Sequence, residues 1–237
     1  MERLTFPTEA CGDQCAGCGA RGYSLCAALE SSELRAYERL AHHVHFAAKE
    51  TLFRQDEFVG SVFNINEGVA RLYKLLPDGR RQIVGFALPG DFLGMSPAER
   101  YTFSADAVVP VTACRFPKTA FMRYVETKPH FLRRMNEFAN RDLCQAQDQM
   151  LLLGRRSAEE KIAAFLVGWR DRMEQHGTQS KTLALPMSRQ DIADFLGLTI
   201  ETVSRTFTRL ERDKMLIIVP GGVRLLDSKR VEAMAAA

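Results

Sequence analysis

From Ser188 to Leu216 the chain reads SRQDIADFLGLTIETVSRTFTRLERDKML, two helical patterns divided by a single glycine. Ser188 is a good N-cap, since its hydroxyl can accept from an orphan backbone N–H, and Asp191 in the first turn suits the positive end of the helix dipole. Ile192, Phe195 and Leu196 give this first helix an apolar side. Gly197 supplies the sharp turn, and Thr199 caps the second helix. On that helix Val203, Phe207 and Leu210 recur at helical spacing and face inward. Glu201, Ser204, Arg205 and Thr208 fall on the opposite face, at i, i+3, i+4 and i+7. A stiff rod that is apolar behind, with short polar groups and an arginine in front, is what a DNA recognition helix requires. Arginine can bond bidentately to guanine, and glutamate can accept from a cytosine amine. Arg209, Arg212 and Lys214 lie nearby and can neutralise phosphates. Met215–Val219 and Val223–Leu226, on either side of Pro220-Gly221-Gly222, read as a two-stranded wing. The competing reading is an ordinary amphipathic helical hairpin. Caps, polar face and wing together favour double-stranded DNA.

Upstream, Ala158–Met173 reads as an amphipathic helix with Ile162, Phe165, Leu166 and Trp169 inward, and His176–Ser180 as a short linker. From about Phe131 a longer helix carries Ala139, Leu143, Ala146, Met150 and Leu153 at steps of four and three, a heptad-like seam. Such a stripe serves as well for packing within a chain as between chains; its position between two domains favours a homodimer seam. Residues 45–117 change character. His45–Phe53, Ser61–Ile65, Val69–Leu76, Gln82–Leu88, Asp91–Met95 and Ala105–Phe116 are short apolar or alternating runs separated by turn signals. Asp78-Gly79 between two of them marks a hairpin, because the turn needs a positive φ that glycine tolerates. Strands at this spacing suggest an antiparallel sandwich or roll. Glu33–Leu40 is compatible with a short helix.

The 237 residues suffice for two small domains with cores of their own, and a formal charge of +3 is compatible with nucleic acid without arguing for it. No apolar run approaches the roughly 20 residues of a membrane span, and the N-terminus lacks the pattern of a signal peptide. A cytoplasmic, reducing location without membrane association is expected. There, four crowded cysteines (Cys11, Cys15, Cys18, Cys26) point to metal binding or catalysis rather than disulfides. Those four thiolates could form a closed zinc site on their own. Cys144, alone on the long helix, reads as a small packing residue. None of the five histidines reads as a ligand; His42, His43 and His45 sit where helix passes to strand. No nucleophile–base pair or phosphate-cradling loop is evident. A redox enzyme would leave the helix-turn-helix unexplained, so the chain does not read as an enzyme.

A β-roll, a long helix and a winged helix-turn-helix resemble the cyclic AMP receptor protein superfamily. Within it the chain is similar to the branch of the fumarate and nitrate reduction regulator, FNR. The resemblance covers almost the whole chain and is most specific at QDQMLLLGRRSAEEKIAAFL (Gln147–Leu166), at DIADFLGLTIETVSR (Asp191–Arg205) and in the cysteine string. It implies an α+β fold: a Cys-rich cluster-binding extension (1–28), a cyclic-nucleotide-binding-like β-roll (29–130), a dimerisation helix (131–157) and a winged helix-turn-helix domain (158–237). It implies that Glu201, Ser204 and Arg205 read a palindrome of the TTGAT…ATCAA type, one half per subunit, with Thr208 and Arg209 beside them. It also implies that the hairpin tip Leu76–Arg80 meets RNA polymerase, although a plain solvated turn is an equal reading of those residues.

Family members that bind cyclic nucleotide carry an Arg-Ser/Thr-Ala cassette after a Gly-Glu pair. Here Gly90-Asp91 begins such a stretch and no cassette follows. A buried phosphate without its arginine is costly to desolvate, so no cyclic nucleotide is expected. The resemblance instead implies a [4Fe-4S] cluster on Cys15, Cys18, Cys26 and Cys114, the last within TACRFP. Cys11 matches an extra cysteine that is not a ligand in some members. The Cys18–Cys26 spacing is two residues longer than in the best-known members and like that of other branches. Oxygen attack on such a cluster would loosen a dimer packed along Leu143, Ala146, Met150 and Leu153 and lower DNA affinity; nitric oxide or another redox signal is the alternative input. The best-known member has an acidic residue where Ala146 stands, so this dimer is expected to dissociate less readily.

Overall fold

The computed structural model describes residues 15, 17–95, 99–175 and 180–236. Two short turns of 3-10 helix, Arg21–Tyr23 and Leu25–Ala28, precede α1 (Ser31–Glu38). Ser24 links the two turns: its hydroxyl accepts from the Cys26 N–H at 3.1 Å. In α1 the Glu30 and Glu33 side chains close a capping box. Glu33 also takes Lys128 at 2.8 Å, which tethers α1 to the residue that caps the long helix.

The roll has two antiparallel sheets of four strands each. One runs β1 (His42–Phe46), β8 (Val111–Pro117), β3 (Ser61–Glu67), β6 (Phe92–Leu93). The other runs β2 (Thr51–Phe53), β7 (Ser104–Ala107), β4 (Ala70–Leu75), β5 (Arg81–Ala87). Phe53, Phe63, Ile65, Ala105, Ala107 and Val111 fill the space between them. The hairpin expected at Pro77-Asp78-Gly79 joins β4 to β5, with Gly79 at φ 84° and the Gly79 N–H donating to Leu76 O at 2.9 Å. Two expected strands are each a pair. His45–Phe53 is broken between β1 and β2 where Lys49 adopts φ 72°. Ala105–Phe116 is broken between β7 and β8, where the chain passes Pro110 and leaves one sheet for the other. Apolar composition continues across both corners, so periodicity alone did not reveal them.

Beyond the roll, α2 (Lys118–Glu126) has no counterpart in the sequence reading. The long helix, α3, spans Pro129–Arg155, with Pro129 in its first turn, where the missing N–H costs nothing. Then come α4 (Ala158–Gln175), β9 (Leu183–Ala184), α5 (Arg189–Leu196), α6 (Ile200–Arg212), β10 (Leu216–Val219), β11 (Gly222–Leu225) and α7 (Ser228–Ala236). The expected linker lies, apart from Ser180, outside the described residues. The wing has three strands, β10-β11-β9, instead of two. Gly222 allows the third: a Cβ there would stand 2.2 Å from Leu183 O. No described helix is long and apolar enough to cross a membrane.

Roll and C-terminal region share one apolar core. Val69, Ile83, Phe86 and Leu88 of the roll pack with Ile162, Phe165, Trp169, Ile192 and Leu196. Around this core runs an ionic belt. Arg71 meets Asp106 at 3.3 Å and Asp191 at 3.0 Å, and Arg81 meets Asp191 at 2.8 Å and Asp194 at 2.7 Å. Arg172 of α4 meets Asp91 at 2.6 Å.

Candidate nucleic-acid interface and cysteine site

Local chemistry builds the helix pair as the sequence indicates. The Ser188 hydroxyl accepts from the Asp191 N–H, and the Asp191 carboxylate accepts back from the Ser188 N–H. Gly197 ends α5 in the left-handed region at φ 62°, and the Thr199 hydroxyl accepts from the Thr202 N–H at 3.1 Å to start α6. Val203, Thr206, Phe207 and Leu210 are buried along the back of α6. Glu201, Ser204, Arg205, Thr208 and Arg209 are all exposed along its front, and the last four, with Arg212, line a shallow hollow.

Two of these groups are already engaged. The Glu201 carboxyl is held below the usual range first by its own backbone N–H, then by the Thr199 hydroxyl and the Arg205 charge, so it stays an acceptor. Arg209 is ion-paired with Glu159 of α4 and lies 3.9 Å from Asp213. Sequence reading offered Arg209 to phosphate and overlooked Glu159, whose partner is fifty positions away.

Along α3 the expected seam residues differ in setting. Leu143 and Met150 are exposed at 56% and 70%, and Ala146 is exposed between them. Leu153 instead is partly buried over Gly197 and packs on the shared core, because the helix has by then reached α5. Leu151, not counted in the seam, is exposed at 65%. A cleft of about 940 Å³ lies between the roll and these helices, with Phe86, Phe138, Asp91 and Ala146 on its wall.

Cys15, Cys26 and Cys114 are buried in one apolar cluster with Leu25, Tyr37 and Phe116, and Cys18 is half-buried. Phe131, Met135 and Phe138, from the first turns of α3, belong to the same cluster. The Cys15 N–H donates to the Glu38 carboxylate at 3.2 Å. Cys114 sits in β8 between His43 of β1 and Asn64 of β3. Asn66 Nδ2 donates to Cys114 Sγ at 3.2 Å, and His43 Nδ1 is 3.8 Å from that sulfur. Asn64 and Asn66 are polar positions in an apolar run, a signal the sequence carried but did not place. Burial pushes the Cys26 thiol up to about 12, with Cys15 and Cys18 adding to the rise. Such thiols remain protonated unless a metal takes the proton's place. Cys11 lies outside the described residues, and Cys144 is exposed on α3 rather than packed. Among the described residues no three His, Cys, Asp or Glu side chains are arranged to hold a metal ion.

Residues 185–216 match the family model described as bacterial regulatory proteins, crp family, and residues 43–128 match that of the cyclic nucleotide-binding domain. The chain is 61% identical to the transcriptional activatory protein AadR of Rhodopseudomonas palustris, and the match covers 100% of both. It is 58% identical to the nitrogen fixation regulation protein FixK of Bradyrhizobium diazoefficiens, again over 100% of both. The solved structure of FixK2 from Bradyrhizobium japonicum superposes with a TM-score of 0.78 at 33% identity, covering 83% of this chain and 98% of that one.

Proposed function

Because the chain belongs to the CRP/FNR family of bacterial transcription regulators, which are not enzymes and bind DNA as dimers, we propose that it is an oxygen-responsive activator. In this reading it acts in the cytoplasm and binds a TTGAT…ATCAA-type palindrome with one α6 per half-site. One observation carries the DNA reading: Glu201, Ser204 and Arg205 stand exposed together while Val203, Phe207 and Leu210 anchor the helix from behind. Two subunits pair along the exposed face of Leu143, Ala146 and Met150, which sets the half-site spacing at about one DNA turn. The exposed hairpin tip Leu76–Arg80 is offered to RNA polymerase.

The sensor in this reading is a [4Fe-4S] cluster on Cys15, Cys18, Cys26 and Cys114. Two observations support the fit. Cys15, Cys26 and Cys114 lie in a single buried core, and Cys18 is half-buried near enough to act on the Cys26 thiol. The Tyr37 hydroxyl, buried in that core, has no hydrogen-bond partner among the described residues. Bound there, the cluster would supply iron–sulfur bonds that oxygen breaks. The chain does the rest. Leu25 and Leu29 seat the extension against Phe131 and Met135, so ordering of the cysteine segment bears directly on the base of the dimer helix. No cyclic nucleotide enters this reading, since Asp91 is taken by Arg172 and the phosphate cassette is missing.

The test is binding of a fluorescent palindrome by anaerobically purified protein, before and after air, alongside iron and acid-labile sulfide analysis. Tight binding that falls on aeration as sulfide is lost supports the whole reading. Equal binding in both conditions removes the oxygen gate and leaves the DNA reading. Indifference to the palindrome in both removes the reading altogether.

A further inference from the structure

Tyr37 stands at the centre of the cysteine core and is 1% exposed. Its ring is wedged between Phe116, Tyr124 and Phe131, with centroids at 4.5, 5.3 and 5.4 Å, and Phe121 meets it edge-on at 6.2 Å. Four aromatic neighbours leave the ring no second orientation, so the direction of its hydroxyl is fixed by packing. That hydroxyl is buried and finds no hydrogen-bond partner among the described residues. Buried tyrosine hydroxyls ordinarily find one, and a phenylalanine would fill the same space without the desolvation cost. Tyr37 shares its buried cluster with Cys15, Cys26 and Cys114, so the unsatisfied hydroxyl and the thiols lie in one and the same core.

Resting on the cluster reading above, we infer that Tyr37 is a positioning residue for the iron–sulfur group, its hydroxyl donating to a cluster or ligand sulfur that the protein's own residues leave it to find. Hydrogen bonds to sulfur are one of the means by which a protein sets the stability and potential of such a cluster. The phenol is held without freedom to turn away, so the bond is pre-organised and costs little entropy when it forms. Tyr37 also belongs to α1, which Glu33 ties to Lys128 and His130 at the start of α3. The hydroxyl thus joins the cluster to the helix that leads to the dimer seam.

Tyr37→Phe keeps the ring and removes only the hydroxyl, and the inference gives it opposite effects in the two forms of the protein. Without cluster, the variant loses an unsatisfied buried group, and its melting temperature rises by about 2–4 °C. With cluster, iron passes to a chelator under anoxic conditions about 10-fold faster or more than from wild type. A hydroxyl with a merely structural role would move both measurements in one direction. Unchanged iron release, or a melting temperature that falls in the cluster-free form, overturns the inference. Should anaerobically reconstituted wild type take up no iron and sulfide, the cluster reading itself falls and this inference with it. Should wild type hold a cluster and the variant release iron at the same rate, only the inference falls.

Discussion

Arg205 and Arg209 are one helical turn apart on the same exposed face, and the proposed function gives them different tasks. In that reading Arg205, beside Glu201, meets base edges, where an arginine can read guanine through two bonds. Arg205→Ala is expected to cost about 1–3 kcal/mol per half-site and to erase the preference for the base pair it reads, with no change in the melting curve. Titration against the palindrome and a duplex changed at that position checks this; uniform weakening on both would place Arg205 on phosphate. Arg209 is half-exposed and already paired with Glu159, itself partly exposed, and a pair so placed is worth only about 0–1 kcal/mol. Phosphate can therefore displace Glu159. Glu159→Gln is expected to strengthen binding to random-sequence duplex by about two- to five-fold and to steepen its salt dependence by up to about one ion. The measurement is affinity against salt concentration, and an unchanged slope rejects the assignment of Arg209 to phosphate. Arg209's role as a cation was legible in the sequence. Its carboxylate partner was not, because a contact across fifty positions leaves no local pattern.

At the scale of elements, what the sequence disclosed was whatever one or two residues settle by themselves. Ser188, Gly197 and Thr199 are caps, each satisfying orphan backbone groups within its own turn, so α5 and α6 lie where those residues place them. The Asp78-Gly79 turn is equally local. The corner at Lys49, the whole of α2 and the third wing strand β9 are not. Each exists because a distant surface receives it: Phe121 of α2 enters the Tyr37 cluster, and Leu183 of β9 lies over Gly222. Asp191 belongs to both categories. Sequence marks it as a first-turn acid, but its second oxygen also binds Arg71 and Arg81 of the roll. Burial alone would raise its pKa. The Ser188 hydroxyl and N–H, then Arg71 and Arg81, outweigh burial and hold it below the ordinary carboxylate value. A depressed folded-state pKa contributes stability that is complete above the unfolded value and is lost as pH falls through the folded one. Stability is therefore expected to be flat around neutrality with respect to this group and to decline below about pH 4. Asp191→Ala leaves Arg71 and Arg81 short of a partner and should cost about 3–5 kcal/mol at neutral pH. Urea melts from pH 7 to 3 decide it; an acid dependence as steep in the variant as in wild type would show that the decline arises elsewhere.

For the molecule as a whole, the decisive relation is between the cysteine core and the exposed middle of α3. Phe131, Met135 and Phe138 lie in that core, and about one to three turns beyond Phe138 the residues Leu143, Ala146 and Met150 face solvent. In the proposed function the cysteine segment acts at one end of this 27-residue rod, and the subunit seam occupies its middle. Whether loss of the cluster separates the subunits depends on what opposes them once the base of the rod is loosened. Apolar burial at Leu143 and Met150 favours association throughout. A carboxylate at the intervening position would face its own copy across the two-fold axis, and like charges brought together out of water oppose the pairing. Ala146 contributes no such repulsion. The cluster-free protein is therefore expected to sediment as a dimer at micromolar concentration, with oxygen acting through the alignment of the two α6 helices more than through dissociation. Ala146→Asp should convert it to a protein that is dimeric with cluster and monomeric without, and should sharpen the fall in operator binding on aeration. A wild-type cluster-free protein that runs as a clean monomer would show that the apolar seam is too weak to hold without the ordered base, and that Ala146 does not set the strength of the switch.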